Sequence, residues 1–200
     1  MSIAENIAAI RRQIDEAARE TGRTGADITL VGASKMNDAA ACQEAIRAGI
    51  DALGENRVQE MTAKLPEHAY DGAPLHFIGH LQTNKIKKVL GRASLIQSVD
   101  SEHLLNAIEK EAAKAGIVQN VLLEVNIGGE ESKTGVAPEA LEALLHLAPE
   151  RLVYISCNPA TLARDARMLS ADYELVQVTP LDLFPHSPHV ESVSCWQRRA

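Results

Sequence analysis

The stretch Asp27–Lys35, DITLVGASK, breaks the pattern that precedes it. Upstream, Ser2 and Glu5 form a capping box, and Ile3, Ile7, Ile10 and Ile14 recur at three- and four-residue spacing, which predicts an amphipathic helix. ITLVGAS is instead a short apolar, β-branched run without helical spacing, and Asn37 or Asp38 can cap the alanine-rich segment that stops at Gly49. This reads as a strand and then a helix. The alternation repeats, with strands near Asp51 to Gly54, Leu75 to Gly79, Leu95 to Val99 and Val121 to Ile127, and helices near 57–64, 83–90, 102–115 and 139–147. Thr83 and Ser101 read as N-caps, Gly91 and Gly116 as C-terminal stops. Repeated βα units demand a parallel sheet, either wound on both faces or closed into a barrel.

With 200 residues, 46% of them hydrophobic and 24% charged, the chain has the make-up of one ordinary folded domain or two small ones, which excludes a disordered chain. It falls short of the roughly 250 residues that a complete (β/α)₈ barrel usually takes. No apolar run approaches the ~20 residues of a membrane span, and Glu5 interrupts the apolar core that a signal peptide would need. No membrane partner is expected, and the cytoplasm is the expected location. Cys42, Cys157 and Cys195 are an odd number without a C-x-x-C pair, which fits a reducing compartment and argues against a metal knuckle. A formal charge of −7 disfavours a nucleic-acid-coating role.

The composition shifts along the chain. All eight lysines lie at or before Lys133, whereas every later basic residue is an arginine. Tyr154, Tyr173, Phe184 and Trp196, four of the six aromatics, fall in the last fifty residues. There LVYIS and TLARDARML give one more βα unit, after which YELVQV and HVESVSCW read as two strands joined by a Pro-rich loop. An antiparallel hairpin is not how a repeating barrel continues. The expected arrangement is five consecutive parallel strands over residues 28–127, LVYIS as a sixth beside the fifth, and the hairpin covering or extending one sheet edge.

Lys35 follows directly on ITLVGAS, at the carboxyl end of a parallel strand, where α/β folds place their ligands. A lysine there can be desolvated enough to lose its proton and attack an aldehyde, forming a Schiff base. A solvated lysine at a strand end is the alternative. Five segments in order, VGASK, GENRVQE (Gly54 to Glu60), HFIGHLQTNK (His76 to Lys85), QSVDS (Gln97 to Ser101) and LLEVNIGGEESKTG (Leu122 to Gly135), decide between them. Through these, residues 1–145 closely resemble the pyridoxal-phosphate homeostasis proteins, whose fold is like the N-terminal barrel domain of alanine racemase.

The resemblance implies an α/β fold, here an incomplete (β/α) TIM-type barrel of five to six units. It also implies that Lys35 holds pyridoxal 5′-phosphate as a Schiff base, with Asn56 and His80 at neighbouring strand ends near the cofactor. A cofactor carrier or regulator is implied, and turnover is not expected. Two departures matter. Where the family often has a second lysine two places after the Schiff-base lysine, this chain has Asn37. The glycine- and serine-rich segment that supplies the last barrel strands of the family and cradles the phosphate has no counterpart. Losing two or three charge-assisted hydrogen bonds at ~1.5–3 kcal/mol each weakens non-covalent binding by roughly two to six orders of magnitude. No metal is expected: His76 and His80 are four apart, but they lie in a strand-like run and lack the glutamate of helical zinc motifs. Lys85, Lys87 and Lys88 read as a solvated helix face, or as an anion-steering patch.

RLVYISCNPATLARD places Cys157 after a strand, with Pro159 in the first helical turn beyond it. Such a thiol is either stabilised as thiolate by the helix N-terminus or is an inert small core residue. YISCNPATLARD and DLFPHSPHVESV resemble the bacterial uracil-5 RNA methyltransferases over about residues 150–198. That resemblance implies that Cys157 attacks C6 of a flipped uracil and that Glu191 removes the C5 proton. No glycine-rich loop for S-adenosylmethionine precedes Cys157, so neither that cofactor nor RNA is expected as a partner. The chain therefore reads as a chimera. Residues 1–145 are a partial pyridoxal-phosphate barrel and residues 146–200 the catalytic end of a methyltransferase with its Rossmann-like hairpin, joined between Pro138 and Glu150. An open barrel edge makes self-association the further expectation.

Overall fold

The computed structural model describes residues 2–20, 22–124, 135, 150–156, 159–181 and 191–199. They fall into two compact units, Met1–Leu123 and Glu124–Ala200. The first opens with helix α1 (Ile3–Glu20). Its capping box forms as read: Ser2 N–H donates to Glu5 Oε2 at 2.8 Å and Glu5 N–H to Ser2 Oγ at 3.2 Å. Strands β1 (Val31–Ala33), β2 (Ala52–Glu55), β3 (Leu75–Phe77), β4 (Leu95–Val99) and β5 (Asn120–Leu123) then make one sheet in the order β1-β2-β3-β4-β5, with every neighbour parallel. Helices α2 (Ala39–Arg47), α3 (Val58–Lys64), α4 (Ile86–Val89) and α5 (Glu102–Ala115) connect them. A doubly wound sheet reverses its strand order at a switch point. This one does not, which is the sequence of an opened barrel.

The register sorts the faces. Gly32 pairs with Leu53 and Leu53 with Leu75, while Glu55 pairs with Phe77 and Phe77 with Ile96. Side chains two apart share a face, so Leu53, Glu55, Leu75, Phe77 and Ile96 form one side. With them Cys42, Met61, Val89, Leu104 and Ile108 build the buried core. Asp38 caps α2 by accepting from Ala41 N–H at 2.8 Å, Ser101 caps α5 through Leu104 N–H at 3.2 Å, and Gly116 ends α5 in the left-handed conformation. Thr83 is a correction: it lies inside a 3₁₀ turn, Thr83–Lys85, whose flanking residue is Gln82, so its hydroxyl caps nothing there. The helix read over 139–147, the end of the strand read to Ile127 and most of the stretch Pro138 to Glu150 lie outside the described residues.

The second unit is built differently. Strands β6 (Arg151–Ser156), β7 (Tyr173–Leu181) and β8 (Glu191–Arg198), with helix α6 (Pro159–Leu169), form an antiparallel sheet in the order β6-β8-β7. The hairpin of the last two strands is as expected. The place of LVYIS is not: β6 pairs antiparallel with β8 and does not stand as a sixth parallel strand beside β5. Strand β8 is instead the centre of this sheet and is paired on both edges, with Trp196 opposite Leu152 on one and Leu175 on the other. Buried Trp196 donates to Ser194 Oγ at 2.9 Å, and Ser194 Oγ donates to Tyr154 O at 3.2 Å. The Tyr154 hydroxyl in turn donates to buried Asp165 of α6. Among the described residues no helix is long and apolar enough to cross a membrane.

At the amino end of the parallel sheet, Arg11 of α1 pairs with Asp51 and donates to Ile28 O at 3.3 Å and Gly49 O at 3.1 Å. Asp51 Oδ2 also accepts from Leu30 N–H at 2.6 Å. The hydrogen bond from Arg11 holds the Asp51 carboxyl below its usual 3.8 despite partial burial. A folded pKa below the unfolded one stabilises the fold above 3.8, and that contribution is lost as pH falls through the folded value. Arg11→Ala is expected to cost about 1–2 kcal/mol at neutral pH, discounted for the exposure of the pair, with the deficit shrinking in acid. Thermal unfolding followed by circular dichroism checks this, and an unchanged midpoint at neutral pH contradicts it.

Candidate functional site

The carboxyl ends of β1, β2 and β3 carry Lys35, Asn56 and His80, the residues singled out by sequence. After β1 the chain turns sharply: Asn37 N–H donates to Ser34 O at 3.1 Å, and Met36 takes φ 62°. A left-handed methionine costs on the order of 1 kcal/mol and persists only where its surroundings hold it. Lys35 occupies the tip of this turn and is exposed. Glu60 Oε2 accepts Met36 N–H at 3.0 Å, and Asn37 Nδ2 donates to Lys35 O at 3.2 Å. Asn37 is thus part of the turn itself.

Beneath the turn lies a buried polar cluster. Lys64 Nζ, at the end of α3, donates to Ser34 O at 2.8 Å and to Glu55 Oε1 at 2.7 Å, with 11% of its side chain exposed and none of that of Glu55. Glu55 Oε1 also accepts from Ser34 Oγ at 2.8 Å and from the Tyr70 hydroxyl at 3.0 Å. Burial, and next the charge of Glu55, push the Tyr70 phenol far above its usual range, so it remains a donor. Burial likewise raises the neighbouring Cys42 thiol and keeps it protonated.

Asn56 follows β2, and its Oδ1 is buried without a hydrogen-bond partner. An orphaned buried acceptor marks a place where a donor is missing. The end of β3 presses on it: a Cβ on Gly79 would fall inside the carbonyl group of Asn56, and Ser98 Oγ donates to Gly79 O. His80, 62% exposed, places Nδ1 at 2.8 Å from Asp100 Oδ2, whose side chain is 11% exposed. His76 instead lies within the sheet with Nδ1 at 2.9 Å from Gln97 Nε2, and burial lowers its pKa. The two histidines have separate partners and do not converge on an ion.

The fold thus brings Lys35, Asn56 and His80 to the ends of three neighbouring strands and adds Asp100 from a fourth. Sequence reading did not assign Asp100, although it lies in the QSVDS segment. It also passed over Ser34, Glu55, Glu60, Lys64 and Tyr70. These come together only when a strand end, a helix and the loop beyond it are folded. Cys157 lies outside the described residues. Glu191 opens β8 opposite Leu181, and its side chain lies outside them as well.

The family model of the alanine racemase N-terminal domain matches residues 5–164. A pyridoxal phosphate homeostasis protein of Aquifex aeolicus is 41% identical over 150 residues, 75% of this chain and 66% of that protein, so the chain spans just under two thirds of the relative's length. The solved structure of PipY of Synechococcus elongatus with PLP bound is 32% identical, with a TM-score of 0.61 over 74% of this chain and 64% of that one. A Gloeobacter violaceus protein named as an uncharacterised RNA methyltransferase is 40% identical over 119 residues, 56% of this chain and 26% of that protein. Matches of 75% and 56% of one chain overlap, so the two likenesses share part of it.

Gly79 carries a direct test of the site's packing. Gly79→Ala must push the ends of β2 and β3 apart, at an expected cost of about 2–3 kcal/mol. Gly32→Ala meets side chains alone, Ile50 at 3.3 Å and Leu53 at 3.5 Å, and should cost less. Urea unfolding of both variants checks the order, and equal midpoints contradict the close approach.

Proposed function

The chain belongs to the alanine racemase N-terminal domain family, and from that premise we propose that it binds pyridoxal 5′-phosphate through Lys35 as a cofactor carrier. The observation that carries this reading is an exposed amine on a fixed turn beside an orphaned buried acceptor, Lys35 and Asn56, at adjacent strand ends. When bound, the cofactor supplies an aldehyde that condenses with a lysine amine, and a ring that withdraws electrons. The residues present fit it. Lys35 offers the amine, Asn56 Oδ1 an acceptor that nothing else occupies, and His80, oriented by Asp100, a polar wall at the next strand end. PipY, similar over most of this chain, was solved with PLP bound.

A complete barrel grips a phosphate with the loops after its last two strands and a helix N-terminus. Here the described strands beyond Leu123 are antiparallel and belong to another sheet. Each charge-assisted hydrogen bond missing at the phosphate lowers binding by about 1.5–3 kcal/mol, so the expected affinity is below that of a full barrel. We read residues 150–198 as the end piece of a uracil-5 RNA methyltransferase and the chain as a chimera, on the support of the Gloeobacter match and the change from a parallel to an antiparallel sheet.

Titration of the purified chain with pyridoxal 5′-phosphate is expected to raise a visible absorption band that saturates in the wild type and is absent from Lys35→Ala. No band at saturating cofactor, or the same band in Lys35→Ala, overturns the reading. Self-association is the second expectation, supported by β5 as a terminal strand of the sheet, with exposed Leu122 on it and Val118 just before it. Light scattering should return more than the mass of one chain, and a monomer at every concentration contradicts it.

A further inference from the structure

We propose that Lys64 is a positioning residue for Lys35. Its ammonium, paired with Glu55 beneath the sheet, fixes the Ser34–Asn37 turn that presents the Lys35 amine. This rests on the reading of Lys35 as the cofactor lysine. Three elements meet at the Lys64 nitrogen: Ser34 beyond the end of β1, Glu55 at the end of β2, and α3, which carries Lys64 itself. The Ser34 carbonyl accepts both Lys64 Nζ at 2.8 Å and the turn-closing Asn37 N–H at 3.1 Å, so the ammonium acts on the peptide directly before Lys35. Ser34 Oγ and the Tyr70 hydroxyl also donate to Glu55 Oε1, which holds the carboxylate toward the ammonium.

A buried ion pair is a weak source of net stability, because both charges leave water. What this one supplies is direction. The turn has a left-handed Met36 and an exposed tip, so without an internal hold the Lys35 peptide would sample many orientations. The second hold, Glu60 on Met36 N–H, comes from the same helix, one turn earlier. Helix α3, through Lys64 and Glu60, is therefore the clamp of the cofactor lysine.

The test uses the full chain. Lys64→Met alone leaves the Glu55 carboxylate buried without its cation, so the informative variant pairs it with Glu55→Gln. Lys64→Arg restores a cation, and Tyr70→Phe removes a donor to Glu55 while leaving the Ser34 carbonyl untouched. Amide exchange at Asn37 reads the turn directly, and the visible band reads cofactor affinity. In the folded double variant both should change by about tenfold or more, faster exchange and weaker binding. Lys64→Arg should recover part of each, and Tyr70→Phe should stay within about twofold of the wild type. Unchanged exchange and affinity in the folded double variant overturn the proposal, as does an equal loss in Tyr70→Phe, which would signal packing alone. If the double variant does not fold, Lys64→Arg against Tyr70→Phe decides on the same two readouts. A wild type that takes up no cofactor overturns the reading of Lys35, and Asn37 exchange still tests the clamp.

Discussion

A lysine ammonium held between a carboxylate and a main-chain carbonyl, in the interior of an α/β unit, is the contact on which the rest of the site depends. Lys64 can be buried because Glu55 neutralises it and because Ser34 O takes a second of its protons. Each of these groups sits where it does for a sequence reason. Glu55 is the last residue of β2, on the face shared with Leu53 and Phe77, so its side chain points into the layer between sheet and helices and not into the rim. Lys64 closes a seven-residue helix whose buried side also holds Val58 and Met61. The polar cluster is thus embedded in an apolar layer, where an unmade hydrogen bond costs the most.

From this the division of labour at the rim follows. The chemistry at the rim lies on exposed groups and its geometry on covered ones. Lys35 and His80 are exposed, whereas their supports, Lys64 and Asp100, are nearly covered. The close approach of Gly79 to Asn56 fixes the spacing between two of the strand ends, and only a residue without a side chain can stand there.

Much of this arrangement was legible in the sequence. The switch from isoleucine spacing in α1 to the β-branched run before Lys35 marked the first strand, and the repeat of that switch gave five parallel strands in order. Lys35 was legible from its place directly after a strand, and Asn56 and His80 through the family resemblance of the segments that hold them. The supports were not. Lys64 reads as an ordinary solvated lysine at a helix end, and nothing in its spacing from Glu55, a strand residue, signals an ion pair, since strand and helix periods do not share a phase. LVYIS illustrates a comparable gap: an apolar strand announces that it will pair, but its spacing does not name the partner, here the antiparallel β8.

On the proposed reading of Lys35, one lysine out of eight takes the cofactor because the fold presents it. Borohydride reduction of the cofactor-loaded chain followed by peptide mass mapping tests it most directly. The account predicts a single added cofactor mass, confined to the peptide that contains Lys35. Label spread over surface lysines such as Lys85, Lys87 and Lys88, or found on a peptide without Lys35, would contradict it.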